Sequence, residues 1–115
     1  MKNLLYILIL ILFPVLVLAQ DQNWVKSTTY KQPIHGSISD PSIEQANVQV
    51  SYFDGLGRPI QQIAHKQSNT GKDIVTHIEY DAFGRQTKEF LPYVATGASL
   101  NYLPSAQTDL LSFYA

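Results

Sequence analysis

Val50-Ser51-Tyr52-Phe53-Asp54-Gly55-Leu56-Gly57-Arg58 decides the reading of this chain, because it recurs as Ile78-Glu79-Tyr80-Asp81-Ala82-Phe83-Gly84-Arg85. Asp54 aligns with Asp81, Leu56 with Phe83, Gly57 with Gly84 and Arg58 with Arg85, at a constant offset (81 − 54 = 27 and 85 − 58 = 27). Both copies read aromatic-Asp-x-apolar-Gly-Arg. A repeat at this period points to an array in which each unit buries its apolar face against the next. Locally, each copy is a hairpin. Asp suits the first position of a type I turn, where its carboxylate accepts backbone N–H groups ahead of it, and Gly suits the last, where φ is positive. A type I turn closed by a left-handed glycine is a common three-residue hairpin loop with a bulge. Turns are expected at Asp54–Gly57 and Asp81–Gly84, each followed by an Arg that begins the returning strand.

The flanks carry strand patterning. Val48, Val50 and Tyr52 share one face, with Gln49 and Ser51 opposite. Pro59 has no ladder donor and fits a strand start or an edge, and Ile60 to Lys66 returns. Residues 67–72 form a polar connection with Gly71 at its tip. Ile74, Thr76, Ile78 and Tyr80 then form one face of the next strand, with Val75, His77 and Glu79 on the other. Gln86 to Leu91 is expected to return after the second turn, and Pro92 ends it. Upstream, Asn23 to Tyr30 is rich in β-branched and aromatic residues and reads as a first strand, with Trp24, Lys26, Thr28 and Tyr30 on one face. Its aromatics are expected in the core, with a sugar-stacking platform as the competing role. Residues 32–46 are loop-like, holding Pro33, Gly36, Asp40 and Pro41. Residues 94–104 are again a loop. Ser105 to Tyr114 reads as a short helix with Ser105 as N-cap and Leu110, Phe113 and Tyr114 roughly on one face. The fold class is all-β: an antiparallel meander from Val48 to Leu91 with the Trp24–Tyr30 strand beside it and a short C-terminal helix.

Tyr80-Asp81-Ala82-Phe83-Gly84-Arg85 resembles the YD repeat of the RHS family, large bacterial surface and toxin-shell proteins related to animal teneurins. The first copy departs from that pattern in carrying Phe53 where Tyr is usual. The wider text, from Tyr52 to Pro59 and from Tyr80 to Leu91-Pro92-Tyr93, resembles the uncharacterised domain at the N terminus of secreted RHS proteins, over roughly residues 24–115. The resemblance implies a spiralling β-sheet shell around a C-terminal toxin or effector, with downstream repeats of a longer parent chain as partners. The ending at Ala115 carries no helix-stop signal, and the chain reads as a truncated frame or fragment of such a protein. The family's surface members imply an alternative, adhesion or glycan binding through Trp24, Tyr30, Tyr52 and Tyr93.

Export is expected from the first residues. Lys2 precedes an apolar run from Leu4 to Leu18, and Val17-Leu18-Ala19 offers a cleavage site, so residues 1–19 read as a signal peptide. The run is short for a membrane span and holds Pro14. The mature chain would be secreted or held at the cell surface with no membrane span of its own. Its 96 residues (115 − 19) divide into a first strand and loop over 20–47, two hairpin units over 48–93, and a loop with the helix over 94–115. That length supports one small core. The chain has no cysteine, so no disulfide can reinforce the core. Loss of Lys2 moves the formal charge from −1 to −2, a balance that attracts neither nucleic acid nor anionic lipid.

No enzyme is legible. Asp54 and Asp81 could be paired as glycosidase carboxylates, yet each occupies a turn position that favours Asp and each belongs to a repeat. His35, His65 and His77 lack mutual ligand spacing, which argues against a metal. Neither a phosphate loop nor a nucleophile motif is present, so no cofactor is expected. Arg58 and Arg85 are expected to stack on strand tyrosines or to pair with acids of an adjoining repeat.

Overall fold

The computed structural model describes Asn3 and residues 22–115. The signal segment expected over residues 1–19 therefore lies, Asn3 apart, outside the described residues. Five antiparallel strands follow one another across a single sheet in chain order: β1 (Asn23–Tyr30), β2 (Ala46–Phe53), β3 (Pro59–Ala64), β4 (Ile74–His77) and β5 (Tyr93–Val94). The helix α1 (Ala106–Phe113) comes last.

The period-two alternation of β2 sets the core face. Ala46, Val48, Val50 and Tyr52 are buried, whereas Asn47 and Gln49 are exposed. The register carries that face across the sheet, because residues directly opposite in an antiparallel pair point the same way. Val50 lies opposite Ile63, Ile63 opposite Val75 and Val75 opposite Tyr93, and all four are buried. Ala106 and Leu110 of α1 close over this row, flanked by Leu100, Tyr102 and Leu103. Removing the side chain of Ile63, only 1 % exposed, would be expected to cost about 2–5 kcal/mol through lost burial and the cavity left behind.

Two buried polar residues fasten the C-terminal segment to the sheet. Gln61 donates from Nε2 to the Leu103 carbonyl and accepts the Leu103 N–H at Oε1, both at 2.9 Å. Its amide thus supplies the bonds that a further strand would have made. The Asp73 carboxylate accepts the N–H groups of Lys66 and Leu100, each at 3.0 Å, and meets His65 Nδ1 at 2.8 Å. The β3–β4 connection and the loop after β5 therefore converge on one side chain. Buried carboxylates persist where their lone pairs are filled in this way.

The structure corrects the expected meander in its last strand. Gln86 to Leu91 is not a strand; the strand that pairs with β4 is Tyr93–Val94. Gln86, Thr87, Lys88 and Glu89 are exposed and have no apolar face to bury, whereas Tyr93 is 2 % exposed and fills the row beside Val75. On β4 the face turned to the core is that of Val75, 0 % exposed, rather than the Ile74 and Thr76 face.

Three other expectations also change. Trp24 and Tyr30 share the core-side face of β1 opposite Tyr52 and Ala46, but they remain 59 % and 39 % exposed. The covering loop and helix reach the rows of β2 to β5 and stop short of this edge, which leaves the aromatics uncovered. Ser105 occupies the N-cap position without capping; its hydroxyl donates to Asp109 Oδ2 at 2.8 Å instead. Of the expected apolar helix face, Leu110 is buried while Phe113 and Tyr114 are exposed.

Candidate functional site

Each Asp-x-x-Gly unit closes on itself by the same set of bonds. Gly57 N–H donates to the Asp54 carbonyl at 3.1 Å, and Asp54 N–H donates to the Arg58 carbonyl at 2.9 Å. Gly84 and Asp81 repeat these at 3.0 and 2.9 Å. Gly57 and Gly84 both have φ of 76°, the left-handed region in which a Cβ is strained. The carboxylate of Asp54 accepts the Leu56 and Arg58 N–H groups at Oδ1 (2.9 and 3.0 Å), and Arg58 Nε at Oδ2 (2.8 Å). Asp81 holds Phe83, Arg85 and the Arg85 Nε in the same way, all at 2.9 Å. The Arg58 and Arg85 N–H groups are the leading cause that holds the Asp54 and Asp81 carboxyls below the usual range; the Arg side chains and the Leu56 and Phe83 N–H groups add to it, against an opposing desolvation. Each carboxylate is thus engaged by its own turn.

The units are also joined to each other. The Arg58 guanidinium lies over the Tyr80 ring, 4.4 Å from its centroid. Its Nη1 lies 3.3 Å from where a Cβ on Gly84 would stand. Tyr80 in turn donates its hydroxyl to the Pro59 carbonyl at 2.8 Å, and Ile78 N–H donates to the Ile60 carbonyl at 3.0 Å. Arg58 therefore pairs with the acid of its own unit and stacks on the tyrosine of the next. Arg85 repeats the first contact, but its other neighbour is Phe83 of its own turn, 5.2 Å away. Its side chain is 68 % exposed against 34 % for Arg58. Leu56 and Phe83, at matching positions of the two tips, are 79 % and 83 % exposed.

Residues 26–115 match the family described as Domain of unknown function (DUF6443). The chain belongs to the DUF6443 family. No curated protein and no solved structure matches it. The family's defining text therefore takes in the whole sheet from Lys26 onward, both turns and α1.

The four aromatics singled out for binding do not converge in this DUF6443 domain. Tyr52 and Tyr93 are core residues, 8 % and 2 % exposed, and only Trp24 and Tyr30 face out. Burial raises the Tyr52 and Tyr93 hydroxyl pKa values, with Asp109 adding to the effect at Tyr93. Beside Tyr93 a cleft of about 430 Å³ is lined by Asn101, Asp109, Ser112 and Phe113, among others. The Tyr93 hydroxyl itself is sealed from solvent and has no hydrogen-bond partner. His65 and His77 pair with Asp73 and Glu79, both at 2.8 Å. Among the described residues no three side chains of metal-binding type come together, and no helix is long and apolar enough to cross a membrane. Sequence reading missed Gln61 and Asp73. Gln61 sits at an inward position of β3, and a polar residue on the core parity of a strand is the one signal that could have marked it.

Proposed function

We propose that the chain is the structural N-terminal domain of an exported RHS-type repeat protein, in which it starts a β-sheet shell enclosing a toxin or effector. The observation that carries this reading is the clasp of Arg58 over Tyr80 and against Gly84. It joins one Asp-x-x-Gly-Arg unit to its successor at the repeat offset, and Arg85 leaves the same guanidinium exposed at the end of the second unit. Such a contact can be propagated from unit to unit. Export rests on the apolar segment after Lys2, with the mature protein secreted or displayed at the surface. The role is non-enzymatic: Asp54 and Asp81 are committed to their turns, and no cofactor is required.

The test compares urea unfolding of the chain with that of a chain lengthened at its C-terminus by several RHS-type Tyr-Asp-x-x-Gly-Arg repeats. The lengthened chain is expected to be the more stable, with Arg85 losing reactivity toward guanidinium-modifying dicarbonyls while Arg58 is unchanged. Equal stability and unchanged Arg85 reactivity would count against a shell.

A second reading, adhesion or glycan binding, is favoured by one observation: Trp24 and Tyr30 stand exposed on one face of β1. Saturable binding to a glycan panel that is lost in Trp24→Ala would favour it over the shell.

A further inference from the structure

We propose that β1 is the pairing edge for a second copy of this chain, joined antiparallel about a two-fold axis through Ser27. The inference is independent of the shell reading. Among the described residues, β1 is the outermost strand and pairs on one side alone, with β2. Natural sheets protect such edges with charges, above all Lys, or with Pro, bulges or very short strands. β1 carries a single charge, Lys26, and otherwise lies open: it is eight residues long, contains no Pro and keeps an unbroken register from Asn23↔Phe53 to Tyr30↔Ala46.

The register fixes which groups are free. Lys31 N–H donates to the Gln45 carbonyl at 2.8 Å, one step beyond the Tyr30↔Ala46 pair, so odd-numbered residues of β1 form the hydrogen-bonded pairs with β2. The N–H and C=O groups of Trp24, Lys26, Thr28 and Tyr30 consequently point away from β2 along the open edge. These four residues also carry the core-side face, where Trp24 and Tyr30 stand exposed.

Self-pairing must set even residues opposite even residues, both to join these groups and to keep the core faces on one side. Three registers near the strand centre satisfy that. Centring on Lys26 puts two ammonium groups directly opposite, which is unfavourable. Centring on Thr28 moves Trp24 opposite Gln32, beyond the strand end. Centring on Ser27 places Trp24 opposite Tyr30, Lys26 opposite Thr28 and Val25 opposite Thr29. It yields two symmetric aromatic pairs, two β-branched pairs, no like charges face to face, and about eight backbone hydrogen bonds from the four outward residues of each copy. The strand is complementary to itself in that register.

The chain has no cysteine of its own, so a single introduced thiol reports the register. Ser27→Cys places two thiols at a non-hydrogen-bonded pair, whose Cα separation of about 4.5 Å lies within disulfide range. Mild oxidation of purified Ser27→Cys is expected to give a covalent dimer, and Thr29→Cys, which faces Val25 of the second copy, is not. Sedimentation velocity should show a reversible dimer for the unmodified chain. Thr28→Lys, which sets a second ammonium against Lys26 across each pair, should weaken it at least about tenfold. Combining it with Lys26→Glu should restore the dimer through opposite charges, while circular dichroism confirms that every variant keeps its sheet. A chain that stays monomeric, a dimer insensitive to Thr28→Lys, or equal crosslinking at positions 27 and 29 overturns the proposal.

Discussion

The Arg58 guanidinium lies over the Tyr80 ring, 4.4 Å from its centroid, while its Nε is held by Asp54 Oδ2 at 2.8 Å. One side chain thus reads the acid of its own turn and the aromatic of the next. Cation–π contacts at partly exposed sites contribute about 0.5–1 kcal/mol. A double-mutant cycle of Arg58→Ala and Tyr80→Leu, followed by urea unfolding, is expected to return a coupling energy of that size. The same cycle with Arg85→Ala in place of Arg58→Ala should return none, because Arg85 stacks on Phe83 of its own turn. Coupling at Arg85 equal to that at Arg58 would refute the unit-to-unit clasp.

The two turn glycines separate conformational strain from crowding. Gly57 and Gly84 share φ of 76°, but a Cβ at 57 meets nothing within 4 Å, and one at 84 meets Arg58 Nη1 at 3.3 Å. Gly57→Ala is expected to cost about 1 kcal/mol from the left-handed backbone alone. Gly84→Ala should cost about 0.5 kcal/mol more, since Arg58 Nη1 must give by a few tenths of an ångström and its contact with the Tyr80 ring is loosened. In an Arg58→Ala background the two costs should become equal. Thermal unfolding of the six chains, the two parents and the four glycine variants, decides it.

How far the sequence could be read follows from what kind of interaction each feature needs. The turns were legible because they are local: Asp, a central pair and a left-handed Gly lie within four residues, and the bonds they make reach only one residue further, to the Arg. The alternation of β2 was legible for the same reason. The failure at Gln86–Leu91 came from treating the second turn as the mirror of the first. A turn fixes the chain reversal, but a strand also needs an alternating face to bury, and Gln86–Glu89 are all exposed, with Phe90 alone packing on the core. The exposure of Trp24 depends on how far a segment some 80 residues later extends over the sheet, which no local pattern encodes. Gln61 and Asp73 bind loops 42 and 27 residues away, beyond the reach of any spacing rule.

The turns should also give an acid-sensitive stability. Asp54 and Asp81 have folded pKa values below their unfolded values, chiefly because of the Arg58 and Arg85 N–H bonds. A depressed carboxylate contributes stability that is present above the unfolded pKa, near 4, and is lost as pH falls through the folded value. Urea midpoints should therefore fall as pH is lowered below about 4. Asp54→Asn and Asp81→Asn should each flatten part of that fall while keeping the turn acceptor. A pH profile unchanged in the double variant would show that other groups carry the dependence.

The Tyr93 hydroxyl offers the reverse case, a substitution that removes a polar group at no structural loss. Tyr93 is 2 % exposed, and its hydroxyl is buried without a hydrogen-bond partner. An unsatisfied buried hydroxyl forfeits its hydration and recovers nothing from the protein. Burial, with Asp109 adding to it, raises its pKa. The ring, by contrast, completes the row beside Val75 and is retained in phenylalanine. Tyr93→Phe is accordingly expected to raise stability by about 1 kcal/mol, while Tyr93→Ala should lower it by about 3–5 kcal/mol through the cavity. Urea unfolding at neutral pH distinguishes the two, and a clear loss of stability in Tyr93→Phe would mean that the hydroxyl is bonded after all.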